Sequence, residues 1–218
     1  LIEKEFSINR FTPFLGPSLS SNEIANLLNR MSVNYLRFES CSELLAKLIA
    51  KGEVVGLFQG RMEFGPRALG NRSIIAAPNI KGMKALMNSK IKFREAGRPF
   101  GPSILESDKE VYFGKNLVNE YMTITQPVMH EGIEEVVHVD GKTRPNIVTK
   151  EINKNYYNQL LHIKNEIGVG AVINTSLNCG EPIVNSPIQA LKILERTSLD
   201  HVIFNNQIIV SKKDVKFI

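Results

Sequence analysis

The chain is 218 residues long and 43% hydrophobic, enough for one large domain with a core of its own, which argues against disorder. Lysine and arginine outnumber aspartate and glutamate by 27 to 22, an excess that suits nucleic acid and small phosphorylated substrates equally well. Cys41 and Cys179 have no metal-ligand spacing and are typical of reduced thiols in a cytoplasmic protein. The sequence contains no signal peptide and no long apolar run, which excludes secretion and a membrane span from our expectations.

The first half of the chain predicts helices and short strands that alternate. Residues 1–19 lack helical periodicity and contain two prolines and a glycine, so we expect an extended linker there. Ser20 with Glu23, and Ser40 with Glu43, match the capping-box pattern and predict helices over 24–31 and 44–51. Apolar runs predict buried strands at 53–58 and 73–78, and apolar residues at helical spacing predict a helix over 81–91.

The second half is predicted to be mixed in the same way. Residues 106–132 are expected to be irregular with a strand near 121–124, followed by a strand at 134–139 and a turn at Asp140-Gly141. A helix over 153–167, a buried strand within 169–178 and a helix over 186–197 come next. Asn205-Asn206 predicts a closing hairpin, because asparagine tolerates positive φ. These elements predict an α/β or α+β domain around one sheet.

Residues 59–73, read as QGRMEFGPRALGNRS, are the most unusual stretch of the sequence. Such a density of glycine disfavours a helix or strand interior and predicts a loop. Glycines let backbone N–H groups approach a ligand, and arginines supply planar donors that match phosphate or carboxylate oxygens. We therefore interpret the stretch as an anion-binding loop rather than a plain turn with solvated arginines; its glycines and arginines are Gly60, Arg61, Gly65, Arg67, Gly70 and Arg72.

Two further clusters of polar residues are candidates for ligand binding. Lys92, Arg94 and Arg98 lie among glycines and prolines, where they either form a solvated helix end or project across a turn towards an anion. Asn174, Ser176 and their neighbours follow a predicted strand, and in a mostly parallel sheet such a strand end commonly holds ligand. Local capping by asparagine and serine is the alternative for this second cluster.

Other types of site are disfavoured. Ser176 lies in NTSLN rather than GxSxG, so it does not match a hydrolase nucleophile. The histidines are scattered without metal-ligand spacing, and Cys179 is interpreted as a spectator thiol. No carboxylate cage is visible, so we expect no metal site in this chain and expect Mg²⁺ to arrive bound to a nucleotide.

Four motifs in order resemble one family: QGRMEFGPRALGNRS, IKFREAGRPFGPS, HVDGKTR and INTSLNCGEPIV. The chain resembles the C-terminal domain of the carbamoyltransferase family that includes nodulation protein NodU and the antibiotic O-carbamoyltransferases. This resemblance implies an α/β (α+β) fold, a YrdC-like twisted mixed sheet flanked by helices, over residues 20–218. It also implies that residues 1–19 are a linker from an N-terminal actin/Hsp70-like domain of the same protein.

The family's chemistry is implied in the same way. The YrdC-like domain is expected to make carbamoyl-adenylate from carbamoyl phosphate and ATP with Mg²⁺, and the N-terminal domain to pass the carbamoyl group to an acceptor hydroxyl. We expect a cytoplasmic protein without a membrane partner, and we favour the phosphorylated substrates over nucleic acid as its ligands. The implied catalytic residues are Lys92, Arg98 and Ser176, and the implied substrate- and nucleotide-binding residues are Arg67, Arg94, Arg144, Asn174 and Asn178.

The sequence also departs from the family pattern. Ala77-Pro78-Asn79 replaces the usual Asp-Pro-Arg, and the loop NTSLNCGEP is one residue shorter than expected before Gly-Glu-Pro. The short loop leaves open a regulatory domain that has lost catalysis, and the basic balance leaves open a YrdC-like module that binds RNA or modifies tRNA.

Overall fold

The computed structural model describes residues 12–115 and 121–215, and an eight-stranded sheet lies at its centre. In chain order, the strands are β1 (Leu36–Arg37), β2 (Val55–Phe58), β3 (Arg72–Ala76), β4 (Gly101–Leu105), β5 (Gln126–Pro127), β6 (Lys142–Thr143), β7 (Asn146–Val148), β8 (Ala171–Ser176), β9 (His201–Phe204) and β10 (Ile208–Ser211). The strand order of the large sheet is β1-β10-β9-β2-β3-β8-β4-β7, and β5 and β6 form a separate two-stranded ribbon.

The large sheet is mixed, and antiparallel pairs predominate. Only the pairs β2–β9 and β4–β7 are parallel among its neighbouring strands in the described residues. The mixed sheet that the family resemblance implied is therefore confirmed. Short connections, such as the one between β9 and β10, join antiparallel neighbours, whereas parallel neighbours need a long crossover.

Helices cover both faces of the sheet, as the expected fold requires. The helices are α1 (Ser21–Arg30), α2 (Ser42–Ala50), α3 (Met83–Met87), α4 (Lys109–Phe113), α5 (Lys154–Ile167) and α6 (Pro187–Arg196). On one face α2 and α5 pack their leucines and isoleucines against β2 and β3, while α1, α3 and α6 bury apolar residues on the other. The strands β2, β3 and β4 are buried throughout, as in a sheet covered on both sides.

The N-termini of the helices show whether the predicted capping boxes form. The capping box of Ser20 and Glu23 is confirmed at α1, and Ser186 forms another with Gln189 at α6. The predicted box of Ser40 and Glu43 was wrong, because α2 begins at Ser42 without a side-chain cap. Ser40 Oγ instead accepts from Ser42 N at 3.3 Å, while the Glu43 carboxylate binds Lys47 one turn further on.

Most other predicted elements are confirmed, but the middle of the chain differs. The strand predicted at 134–139 was wrong, since residues Glu134–Val136 form a turn of 3₁₀ helix. The strand predicted near 121–124 is reduced to a single bridge between Tyr121 and Asn146. The helix predicted over 81–91 is α-helical only in α3 and continues as a π-helix over Asn88–Lys92.

The segment before α1 lies against the loop that joins β2 to β3. Backbone bonds link Gly16 N to Met62 O at 2.9 Å, Met62 N to Pro17 O at 3.0 Å and Phe64 N to Pro13 O at 2.8 Å. Residues 1–11 of the predicted linker lie outside the described residues. In the described part of the chain, no helix has the length and apolar character that crossing a membrane requires.

Candidate functional site

The glycine- and arginine-rich loop joins β2 to β3, and the buried carboxylate of Glu63 holds its shape. Glu63 Oε1 accepts from the backbone N–H groups of Leu69 at 2.8 Å, Asn71 at 2.7 Å and Arg72 at 3.2 Å. A carboxylate that accepts several N–H donors acts as the centre of a turn. The acid in this basic stretch is therefore structural.

The three arginines of this loop have different surroundings. Arg72 is fully buried, its guanidinium lies 3.6 Å from the Phe58 ring centroid, and Nη1 donates to Gln59 O at 2.8 Å. Burial lowers the pKa of Arg72 to about 10, against the opposing effect of Glu63. Arg61 donates to Leu15 O at 2.6 Å and so binds the segment before α1. Only Arg67 of the three is left to face a ligand.

The second basic cluster follows the π-helix. Phe93 has a left-handed backbone with φ +48°, so the chain turns sharply after Lys92 and carries Arg94 and Arg98 towards β4. The Arg94 guanidinium lies over the ring of Phe100, 4.8 Å from its centroid. Phe100 therefore supports a cavity arginine, a role that the sequence prediction missed.

The end of β8 contributes the third cluster. Asn174 is buried, and its Nδ2 donates to Ala68 O at 2.9 Å, which fixes the orientation of the amide. Asn174 Oδ1 is buried too and has no hydrogen-bond partner among the residues that the structure describes. Ser176 Oγ donates to Asn178 Oδ1 at 2.7 Å. A buried acceptor without a donor costs free energy, so Asn174 Oδ1 is a candidate ligand contact.

Lys92 lies behind this strand end and outside the lining of the cavity. Its Nζ donates to Ser176 O at 2.7 Å, Asn178 O at 2.9 Å and Asn178 Oδ1 at 2.8 Å. Burial, followed by the charge of Arg94, lowers the pKa of Lys92 to about 7. Lys92 thus holds the loop after β8 in place, next to Ser176 in the cavity wall.

One cavity of about 150 Å³ collects most of the predicted site residues. No acidic side chain is among its described lining residues. Burial lowers the pKa of Arg144 and of Arg94, and the neighbouring charges of Arg67 and Arg98, respectively, lower them further. The predicted residues that line it are Arg67, Arg94, Arg98, Arg144, Asn174 and Ser176, whereas Lys92 and Asn178 contact the wall from behind.

A second cavity of about 270 Å³ adjoins the first and shares Pro99, Phe100 and Arg144 with it. Its wall includes His138 and Asp140, from the HVDGKTR motif, with His138 Nδ1 3.1 Å from Asp140 Oδ1. Across residues 12–115 and 121–215, no group of three or more His, Cys, Asp and Glu side chains is arranged to hold a metal ion.

Comparison with protein families places these motifs in context. The sequence model of the family described as "Carbamoyltransferase C-terminus" matches residues 46–212. Nodulation protein NolNO of Sinorhizobium fredii is 35% identical, over 90% of this chain and 30% of its own length. The 3'-hydroxymethylcephem-O-carbamoyltransferase of Streptomyces clavuligerus is 36% identical, over 65% of this chain and 27% of its own length.

Solved structures with a similar fold include full-length HypF in a phosphate- and nucleotide-bound form, with a TM-score of 0.56 at 17% identity over 78% of this chain and 26% of that one. HypF of T. kodakarensis has a TM-score of 0.52 at 16% identity, over 81% of this chain and 25% of its own. These likenesses confirm the YrdC-like fold.

The chain spans 36% and 34% of the length of two further relatives, from Synechocystis sp. and Methanocaldococcus jannaschii. By its matched residues and its fold, the chain belongs to the carbamoyltransferase family, of which it represents the C-terminal domain.

Proposed function

We propose that this domain binds ATP and carbamoyl phosphate in the cavity of the four arginines and makes carbamoyl-adenylate. The observation that carries the proposal is the convergence of Arg67, Arg94, Arg98 and Arg144 on one cavity whose described lining has no acidic side chain. Four like charges repel one another unless a polyanion binds between them. Two phosphorylated substrates supply such charge.

The proposed reaction has two steps. Carbamoyl phosphate first transfers its phosphoryl group to water, which gives carbamate and inorganic phosphate. A carbamate oxygen then attacks the α-phosphorus of ATP, the bond from that phosphorus to the bridging oxygen breaks, and pyrophosphate leaves. The carbamate is itself the nucleophile, so the second step needs no general base. The arginines hold phosphate oxygens in line and offset the charge on the leaving pyrophosphate.

Asn174 supports the carbamoyl part of the proposal. Phosphate oxygens are acceptors and cannot satisfy the unpaired acceptor Asn174 Oδ1. The NH₂ group of carbamate is a donor of the right kind. Ser176, whose hydroxyl is held by Asn178 at 2.7 Å, stands two residues further along the same strand and is assigned to the carbamoyl group or the α-phosphate.

Lys92 is assigned a supporting part in catalysis through the loop after β8. Its three bonds hold Ser176 and Asn178, and its charge adds to the positive potential of the cavity. Mg²⁺ is expected to enter with ATP, where it would screen the β- and γ-phosphates. No residue of this chain is assigned to bind the metal.

The similar proteins support ATP and carbamoyl phosphate as the substrates. One relative is named as an O-carbamoyltransferase, and a structure with a similar fold is described as phosphate- and nucleotide-bound. We further propose that transfer to an acceptor hydroxyl requires an actin/Hsp70-like N-terminal domain, with residues 1–19 as the linker to the domain of residues 20–218. We also propose that the protein is cytoplasmic.

Titration calorimetry of the 218-residue chain with ATP and Mg²⁺, with and without carbamoyl phosphate, tests binding. Exchange of labelled pyrophosphate into ATP, dependent on carbamoyl phosphate, tests adenylate formation. Failure to bind ATP at millimolar concentration contradicts the proposal. Binding without exchange indicates a domain that has lost catalysis, and RNA binding with a steep dependence on salt indicates the nucleic-acid alternative.

A further inference from the structure

We propose that Asn88 is a positioning residue that sets the two arginines of the second basic cluster for binding of polyanions. Asn88 does not line the cavity, and neither the motifs nor the family resemblance assigns it a role. The inference rests on the proposed function, because its effect is expressed through Arg94 and Arg98.

The side chain of Asn88 is fully buried at the start of the π-helix, and each of its polar atoms has a partner in the cluster. Oδ1 accepts from Arg94 Nε at 2.7 Å. Nδ2 donates to Ala96 O and to Arg98 O, both at 2.9 Å. The backbone carbonyl of Asn88 also accepts from Arg94 N, at 3.0 Å. One residue thus binds the turn of residues 94–98 at four points.

These contacts determine which donors of Arg94 remain for a ligand. Nε is occupied by Asn88, and one face of the guanidinium lies over Phe100. The two terminal nitrogens of Arg94 are then the donors available to an anion in the cavity, in an orientation set from behind. Asn88 acts on Arg98 through the backbone: Asn88 Nδ2 donates to the Arg98 carbonyl and restrains the chain there, while Arg98 Nη1 lies 4.0 Å from Glu95 Oε2.

Within the described residues, the other contacts of this turn are local: Arg98 N donates to Glu95 O at 3.1 Å, and Arg98 Nη1 lies 4.0 Å from Glu95 Oε2. Phe93 is 61% exposed and has positive φ, and residues 95–98 are exposed. A short exposed turn with a strained residue samples other conformations unless specific bonds hold it. A primary amide suits this position, because it offers one acceptor to the arginine and two donors to the carbonyls at once.

A purely structural role is the competing explanation, since loss of any buried amide destabilises a fold. Gln159 provides a matched control: it is fully buried and hydrogen-bonds to Gln59 and Asn206, neither of which lines the cavity. Asn88→Ala and Gln159→Ala are both expected to lower the melting temperature. Only Asn88→Ala is expected to weaken binding of ATP with Mg²⁺ and of inorganic pyrophosphate.

A double-mutant cycle separates positioning from general damage. Calorimetry is carried out on the wild type, Asn88→Ala, Arg94→Ala and the double variant, well below their melting temperatures. We expect Asn88→Ala to weaken ATP binding about tenfold in the wild-type background and less than about twofold in the Arg94→Ala background. The same cycle with Arg98→Ala in place of Arg94→Ala measures the coupling between Asn88 and Arg98.

Several outcomes overturn the inference. An equal loss of affinity in the two backgrounds means that Asn88 acts only through stability, and unchanged affinity in Asn88→Ala means that it does not act at all. If the wild type binds neither ATP nor pyrophosphate, the proposed function fails first and the inference falls with it. If the wild type binds and the cycle is additive, only the inference fails.

A second measurement does not depend on the ligand. The Nε–H of Arg94, bonded to Asn88, is expected to give a slowly exchanging ¹⁵N-correlated NMR signal that disappears in Asn88→Ala and persists in Gln159→Ala. Rapid exchange of this proton in the wild type contradicts the inference. If Asn88→Ala does not fold, Asn88→Ser takes its place in both measurements, because a hydroxyl is too short to bridge all three partners.

Discussion

Replacement of Arg67 by alanine is the sharpest test of the cavity. Arg67 lines it, and its charge lowers the pKa of Arg144, so the two guanidinium groups face the same space. A hydrogen bond to a charged group contributes about 1.5–3 kcal/mol, which corresponds to roughly 10- to 150-fold in affinity. We expect Arg67→Ala to weaken binding of ATP with Mg²⁺ by about one to two orders of magnitude.

Stability is expected to respond in the opposite sense to affinity. Arg67 forms no hydrogen bond or ion pair with the residues that the structure describes, and its removal relieves repulsion with Arg144. The melting temperature of Arg67→Ala without ligand should therefore equal or exceed that of the wild type. Arg67→Lys keeps the charge but loses the planar fork, and is expected to have intermediate affinity.

Calorimetry and thermal unfolding of the same samples provide the assay. Arg37→Ala is the matched control: it removes the same charge from an exposed arginine whose hydrogen bond is to Asn22, away from the cavity. If Arg37→Ala and Arg67→Ala weaken binding equally, net charge and not the cavity attracts the nucleotide. If Arg67→Ala binds ATP like the wild type, the assignment of the phosphate site is wrong.

Four further predictions concern proton linkage, recognition and folding. Because the pKa of Lys92 is lowered to about 7, a bound polyanion should raise it, so calorimetry at pH 8 in buffers of different ionisation enthalpy should detect proton uptake that is absent in Lys92→Met. The same lowered pKa means that Lys92 makes the fold less stable near pH 7 than near pH 10, and urea unfolding of Lys92→Met should lose this dependence. Asn174→Ala should reduce the preference of pyrophosphate exchange for carbamoyl phosphate over acetyl phosphate by about fivefold or more; equal preference in both proteins contradicts a contact to NH₂. Glu63→Gln should lower the free energy of unfolding by about 1–3 kcal/mol, whereas exposed Glu43→Gln should change it far less, and similar losses in both would refute the central role of the buried carboxylate.

The sequence predicted a mixed sheet and the side chains that meet at its edge, but it did not predict the order of the strands. Arg67, Arg94, Arg98 and Arg144 share one cavity, as the motifs implied. The motifs identify them because residue type and order are visible in a sequence. The direction of neighbouring strands depends on which strands pair across the whole chain, and no local pattern reports it.

The strand and the helix that the sequence mispredicted were missed for local physical reasons. β4 was missed because its residues, Gly101–Leu105, begin with glycine and proline, which disfavour a strand except where backbone approaches closely. A Cβ on Gly101 would lie 2.4 Å from Arg144 O, which explains why glycine is needed there. The π-helix before Phe93 has the apolar spacing of an α-helix, so periodicity alone could not reveal the turn that carries Arg94.

The family resemblance singles out Arg67 among the three arginines of residues 59–73, although all three carry the same chemistry. The fold gives the physical reason. Arg72 is buried against Phe58 and Arg61 binds the carbonyl of Leu15, so their donors are used within the protein. These contacts involve distant residues, which no local sequence pattern reports.

The segment before α1 limits how this domain can be recombined. Arg61 donates to Leu15 O and Gly16 O, and Arg72 Nη2 approaches Pro17 O at 3.3 Å. A Cβ on Gly16 would lie 2.9 Å from Met62 O, so the close approach of the two backbones at this position requires glycine. A gene fusion that joined another protein directly at Ser20 would leave donors of Arg61 and Arg72 without these acceptors. Such a fusion therefore needs residues 13–19 of the proposed linker as well as the domain of residues 20–218.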